Sequence, residues 1–206
     1  MDLAKFKKQP VMGIVRGVEL AQLEPLIEAI LSSGLQTLEI TMNTKDAGEL
    51  IRKAKKIAQE RLMLGAGTVL DMESLKAALD SGATFIVLPV LLKDVVAYCV
   101  KNKIPVFPGA LTPSEIYAAW KEGATMVKVF PAKFFGPEYL REIKAPLEKI
   151  ELLACSGVTP QNMREYFSCG ASAISFGASV FRKEWLQQKE YANITSAIKA
   201  YLQQLS

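Results

Sequence analysis

The sequence contains no histidine. This absence excludes serine–histidine and cysteine–histidine nucleophile pairs, the HExxH zinc motif and any proton relay through imidazole within the chain. Any chemistry that the protein performs must therefore use lysine, carboxylates, hydroxyls or a cofactor.

Cysteine is scarce, and long apolar runs are missing. Cys99, Cys155 and Cys169 are odd in number and lack CxxC spacing, so neither a disulfide framework nor a zinc site is expected. The most apolar stretch, residues 85–100, is interrupted by a proline and two charged residues, and the first ten residues hold no continuous apolar segment. We therefore expect a cytoplasmic protein without a membrane anchor.

Charge of one sign is not in large excess. The 25 basic and 21 acidic residues leave a net charge of +4, which is too small and too dispersed to favour a nucleic-acid or membrane surface. The densest basic run, residues 52–56, alternates with apolar residues at helical spacing and is interpreted as a solvated helix face without a function. Small anionic molecules remain possible ligands.

What the sequence does contain is a repeating unit of about 20 to 26 residues. Each unit begins with a short apolar run. The runs begin near Val11, Thr37, Leu62, Phe85, Pro105, Met126, Glu151 and Ala173. Between them lie segments with apolar residues three and four apart, which is typical of amphipathic helices. Examples are residues 23–31, 47–58, 72–79, 95–100 and 114–120.

Eight alternating strands and helices predict a (β/α)8 TIM barrel formed by residues 1–206 as a single α/β domain, with a short N-terminal helix over residues 2–8. An open doubly wound sheet is the alternative. The first strand-to-helix turn, residues 14–18, lacks the GxGxxG fingerprint of that fold, and the closed barrel is therefore favoured.

Active sites of such barrels lie at the carboxyl ends of the strands. In the second predicted strand, residues 37–41, alternation directs Glu39 towards the barrel axis. The same reasoning directs Lys128 inward from the sixth strand, which lies across the barrel. The two charges are therefore expected to face one cavity.

A lysine in a poorly solvated pocket can supply a neutral amine, which is a nucleophile towards ketones. Two alternatives remain open at this point. Lys128 and Glu39 could form a structural ion pair, or the strand could be displaced by one residue, which would turn Lys128 to the surface.

Four segments at successive strand ends together resemble the family of 2-keto-3-deoxy-6-phosphogluconate and 4-hydroxy-2-oxoglutarate aldolases. They are Leu-Glu-Ile-Thr at 38–41, Gly-Ala-Gly-Thr-Val-Leu at 65–70, Phe-Pro-Gly at 107–109 and Val-Lys-Val-Phe-Pro-Ala at 127–132. The resemblance spans almost the whole chain. It implies a class I lyase that uses no metal and no cofactor, acts on a small 2-keto sugar acid and forms pyruvate.

By this resemblance, Lys128 forms a Schiff base with the ketone of a 2-oxo acid, and Glu39 moves protons through a bound water. Thr68 and Pro89 would line the site beside the pyruvate portion, and Phe130 would pack against the imine carbons. Taken alone, Thr68 is equally interpreted as a turn hydroxyl that binds local backbone, and Pro89 and Phe130 as core residues.

The loops after the last two strands commonly hold phosphate in such barrels, and Ser156, Gly157, Gly177 and Ser179 occupy them. Cys-Ser-Gly at 155–157 departs from the family's usual Thr-Gly-Gly, so a serine stands in place of a glycine. Whether phosphate still binds beside Cys155 and Ser156 is left open.

Asn43 stands where gluconate-type members carry the arginine that holds the substrate carboxylate. Arg16, at the end of the first strand, is the best replacement, because a guanidinium can bind a carboxylate through two hydrogen bonds. The alternative for Arg16 is a salt bridge at the rim.

Ile-Val-Arg-Gly at 14–17, Asn43 and Phe-Gly-Pro-Glu-Tyr at 135–139 resemble the branch that acts on 2-keto-3-deoxy-6-phosphogalactonate. The gluconate and galactonate substrates differ only at C4, and the sequence leaves the choice open. The family also implies a homotrimer. Two further functions remain as alternatives: a phosphosugar isomerase or epimerase on the same barrel, and a non-catalytic phosphosugar-binding protein.

Overall fold

The computed structural model describes residues 1–205, in which nine short parallel strand segments form one sheet. The strands are β1 Val11–Val15, β2 Thr37–Thr41, β3 Met63–Gly67, β4 Ile86–Val87, β5 Val106–Phe107, β6 Gly109–Ala110, β7 Val127–Val129, β8 Leu152–Cys155 and β9 Ala173–Phe176. The helices are α1 Leu3–Lys8, α2 Leu20–Ser33, α3 Ala47–Ala58, α4 Met72–Asp80, α5 Lys93–Lys101, α6 Pro113–Lys121, α7 Gly136–Lys144, α8 Met163–Ser168, α9 Lys183–Gln187 and α10 Tyr191–Leu202.

The sheet closes into a barrel with eight strand positions. Its order is β5-β4-β3-β2-β1-β9-β8-β7-β6, so the two end segments are β5 and β6, which only Pro108 separates along the chain. Proline has no N–H and interrupts the hydrogen-bond ladder, so one predicted strand becomes two segments. β5 pairs with β4, and β6 pairs with β7. The TIM-barrel prediction is therefore confirmed, with one strand broken at a proline.

Each strand presents one set of side chains to the barrel axis and the other set to the helices. Leu38, Ile40, Val127 and Val129 belong to the apolar layer shared with the helices, as strand alternation predicts. The inward-facing set at the lower end of the barrel forms a separate apolar floor. It comprises Met12, Met63, Phe85, Val87, Phe107, Met126, Leu153 and Ala173, from the strands or the residue before them, together with Phe6 of α1.

The predicted N-terminal helix is present and closes this floor. The Asp2 carboxylate accepts a hydrogen bond from the Lys5 N–H at 3.0 Å, which caps the first turn of α1. Phe6 is fully buried, and its ring meets that of Phe107 edge-on at 6.1 Å. Because α1 and the floor seal one end, the barrel opens only at the carboxyl ends of the strands. No helix within residues 1–205 has the length and apolar character needed to cross a membrane.

Candidate active site

Glu39 and Lys128 both point into the barrel and lie directly above the apolar floor. Glu39 is 1% exposed and Lys128 is 7% exposed. Glu39 lies in register with Ile14 of β1 and Gly65 of β3, whereas Lys128 lies in register with Gly109 of β6 and Leu153 of β8. β2 and β7 are on opposite sides of the ring, so the two charged groups face one another across the cavity.

These two side chains do not form an ion pair. The ion pairs found within residues 1–205 at 4.0 Å or less do not include them, and Glu39 Oε2 is buried without a hydrogen-bond partner. A structural ion pair would satisfy that oxygen. The free carboxylate oxygen and the inward lysine leave both groups available for a molecule bound between them.

Burial raises the pKa of the Glu39 carboxyl, and the positive charges of Lys128 and Arg16 only partly oppose this shift. A raised pKa increases the fraction of the carboxyl that is protonated at a given pH, so the group can both donate and accept a proton during a reaction.

The Glu39 carboxylate occupies space that is open only because residue 67 is a glycine. A Cβ atom at Gly67 would lie 2.2 Å from Glu39 Oε1, which is less than any real contact distance. Glycine at the end of β3 therefore provides the space that the carboxylate occupies.

Phe130 and Pro89 lie at the mouth above this pair. The Lys128 Nζ atom is 5.2 Å from the centre of the Phe130 ring, and Phe130 is 39% exposed, so it is not a core residue. The Pro89 carbonyl lies over Gly109, where a Cβ atom would be 2.1 Å from it. The Pro89 loop is thus held against the strand that neighbours Lys128.

Arg16 reaches across the mouth to the end of β3. Its Nη2 donates a hydrogen bond to Thr68 Oγ1 at 3.2 Å, and it takes no part in the ion pairs found within residues 1–205. The rim salt bridge is therefore not seen. Thr68 has φ of +54°, which is unfavourable for a residue with a side chain. The backbone at Thr68 is therefore strained in the conformation in which its hydroxyl accepts the hydrogen bond from Arg16.

Asn43 is exposed in the turn after β2. The side-chain hydrogen bonds found in that turn are made by Thr41 and Thr44 instead. The structure therefore brings Arg16 and Thr68 together and leaves Asn43 at the rim.

Comparison with known proteins agrees with this geometry. The family model "KDPG and KHG aldolase" matches residues 3–197. The chain belongs to this aldolase family. It is an aldolase, which is a carbon–carbon lyase.

Three relatives illustrate the range of the family. The chain is 29% identical over 195 residues to the 2-dehydro-3-deoxy-6-phosphogalactonate aldolase of Escherichia coli, covering 94% of this chain and 95% of that one. It is 32% identical over 187 residues to the 2-dehydro-3-deoxy-phosphogluconate aldolase of Pseudomonas aeruginosa, covering 86% and 82%. A solved structure described as native KDPGal superposes with a TM-score of 0.88 at 27% identity, covering 95% and 93%.

The loops after β8 and β9 of the aldolase lie at the same end of the barrel as Lys128. Ser156 and Gly157 have φ of +81° and +78°, so the serine adopts a backbone conformation that favours glycine. A Cβ atom at Gly157 would lie 2.4 Å from Lys133 Cβ, so this loop packs closely on the segment that follows β7.

A cavity of about 370 Å³ lies between the end of β1 and the loop after β9. Its lining includes Arg16, Gly177, Arg182 and Lys183. The Arg182 Nε–H donates to the Ser179 carbonyl at 3.2 Å and so ties this exposed loop to the start of α9. Sequence reasoning missed Arg182 and Lys183, because they follow the strand end by six and seven residues and no pattern in the sequence marks them.

Sequence reasoning also did not include Cys155 among the site residues of the aldolase. Strand alternation in Leu152–Cys155 turns Leu153 and Cys155 inward, and that signal was available in the sequence. The thiol is 4% exposed, and burial raises its pKa, opposed in part by the nearby Lys128. Cys155 therefore forms part of the cavity wall beside the lysine.

Proposed function

We propose that this aldolase cleaves a 2-keto-3-deoxy-6-phospho sugar acid of the galactonate or gluconate type, 4-hydroxy-2-oxoglutarate, or both. The products are pyruvate and an aldehyde, which is glyceraldehyde 3-phosphate or glyoxylate. The observation that carries the proposal is the pair of buried groups, Glu39 and Lys128, which face one cavity without forming an ion pair with each other. The names of its relatives support the same substrate class.

The first stage is the formation of an imine. Lys128 gives up one proton and its amine attacks the C2 ketone of the substrate. Loss of water from the resulting carbinolamine, with return of one proton, gives a protonated Schiff base. The apolar floor and the low exposure of Lys128 favour this dehydration, because little bulk water surrounds the nitrogen.

The second stage is cleavage of the C3–C4 bond. Removal of the proton from the C4 hydroxyl forms the aldehyde carbonyl, and the bonding electrons pass into the imine to give an enamine. Glu39, acting through a bound water, accepts this proton and later returns one to C3. Hydrolysis of the final imine releases pyruvate and regenerates the Lys128 amine.

The remaining site residues hold the substrate. Arg16 binds the carboxylate, assisted by Thr68, while Pro89 and Phe130 enclose the pyruvate portion. A phosphorylated tail docks on Ser156, Gly157, Gly177 and Ser179, whose backbone N–H groups suit an anion. Asn43 stands at the rim beside the distal part of the substrate.

The protein is proposed to be a homotrimer in the cytoplasm, with the whole chain forming one barrel domain. Support for self-association comes from large apolar side chains exposed in the segments that follow β3, β4 and β7. These are Leu70, Val90, Phe134 and Phe135. Contiguous exposed apolar patches commonly mark interaction surfaces, and Phe134 and Phe135 are adjacent in the chain.

An assay of pyruvate release, coupled to lactate dehydrogenase, tests the proposed substrate class. We expect turnover of at least one of three substrates: the galactonate-type acid, the gluconate-type acid and 4-hydroxy-2-oxoglutarate. The ranking among them identifies the natural series. Tight binding of these acids without pyruvate release would instead identify a binding protein.

A further inference from the structure

The turn that carries Arg16 is tied to the neighbouring strand by one hydroxyl group. Gly17, which follows Arg16, has φ of +68°, and its N–H donates a hydrogen bond to Thr44 Oγ1 at 3.0 Å. Thr44 lies in the next connection, between β2 and α3, so this bond links two loops that are 27 residues apart in the sequence.

The Thr44 side chain is itself firmly held. It is 6% exposed, and its Oγ1 lies 2.9 Å from Thr41 Oγ1, which is fully buried at the end of β2. The Thr44 N–H also donates to the Thr41 carbonyl at 2.9 Å. The Gly17 turn is thus anchored to the strand that carries Glu39.

Arg16 is consequently restrained at both ends. The Thr44 hydroxyl holds the backbone that follows it, and Thr68 accepts a hydrogen bond from the guanidinium tip. A free arginine side chain has many rotamers, and ordering it on binding would weaken the interaction with an anion. Restraint before binding removes part of that cost.

We propose that Thr44 is a positioning residue, which holds Arg16 in place to bind the substrate carboxylate without itself touching the substrate. This inference rests on the proposed function, in which pyruvate joins Lys128 as an imine and Arg16 binds its carboxylate.

The variants Thr44→Val and Thr44→Ser separate the hydroxyl from the shape of the side chain. We expect T44V to raise KM, and the pyruvate concentration that half-saturates borohydride trapping, about tenfold, since one restraining hydrogen bond is lost. Its kcat should stay within about twofold of the parent, because the C–C bond cleavage does not involve Thr44. T44S keeps the hydroxyl and should restore both values.

Thr195→Val is the matched control, because the Thr195 hydroxyl also makes a hydrogen bond, to the Ala29 carbonyl, on the outer helices. It should leave the trapping curve unchanged. Thermal melting of each variant identifies loss of folding. A folded T44V protein with the parental trapping curve, or a T44S protein with the same defect as T44V, would overturn the proposal.

A double-variant cycle tests whether Thr44 acts through Arg16. In the Arg16→Met background, the added T44V change should have no further effect on half-saturation. Full additivity would show that Thr44 acts by another route and would overturn the proposal. Failure of the proposed function can be distinguished from failure of the Thr44 proposal, because in the first case the parent protein would form no trapped adduct with pyruvate at all.

Discussion

Glu39 links the chemistry of the site to the stability of the fold. The folded protein buries this carboxyl and leaves its Oε2 atom without a hydrogen-bond partner, and burial raises its pKa above the ordinary glutamate value of 4.5. A proton is therefore held to a higher pH in the folded state than in the unfolded state. Raising the pH through that interval favours unfolding, because the unfolded state releases its proton first.

The variant Glu39→Gln should lower kcat by about 100-fold or more, because a positioned acid–base group contributes on that order. It should also be more stable than the parent at about pH 8, and this advantage should shrink at about pH 4, where the parent carboxyl is mostly protonated in both states. Urea unfolding at both pH values measures the difference. An advantage that grows towards low pH would contradict the buried, raised carboxyl.

Individual contacts were predictable only where they follow from strand alternation. The period of two directs Glu39 and Lys128 inward from the sequence alone, and it would also have identified Cys155. The bonds from Arg16 to Thr68 and from Gly17 to Thr44 join residues 52 and 27 positions apart. They depend on how neighbouring loops meet after the barrel closes, which no local pattern encodes.

At the scale of elements, the strand boundaries were predicted closely. The runs expected near Val11, Thr37 and Ala173 begin at those residues, and the others begin one residue later. Buried parallel strands give continuous apolar runs, and these are easily separated from amphipathic helices. The break at Pro108 was not predicted, because its effect on pairing depends on which neighbours the strand has.

Helix α1 contributes to stability by closing the barrel floor with one aromatic ring. The variant Phe6→Ala should lower the free energy of unfolding by about 3 to 5 kcal/mol, since the fully buried ring leaves a cavity between α1 and Phe107. Urea denaturation measures this change. Exposed Lys8→Ala on the same helix should cost much less, and equal costs for the two variants would show that the ring does not support the floor.

At the scale of the whole molecule, Phe134 and Phe135 are 70% and 55% exposed in the isolated chain. Burying such rings between subunits would stabilise an oligomer. We expect light scattering to give a trimer for the parent protein and a smaller species after replacement of both residues by aspartate. Tyr117→Asp on α6, where the parent side chain is 50% exposed, is the control and should remain trimeric. A monomeric parent protein would contradict the proposed assembly.

The most direct test of the central claim is borohydride reduction of the protein in the presence of pyruvate, followed by mass spectrometry of its peptides. We expect a reduced pyruvyl adduct on Lys128, which persists in Lys101→Met and is lost in Lys128→Met. The absence of an adduct, or an adduct on a different lysine, would contradict it.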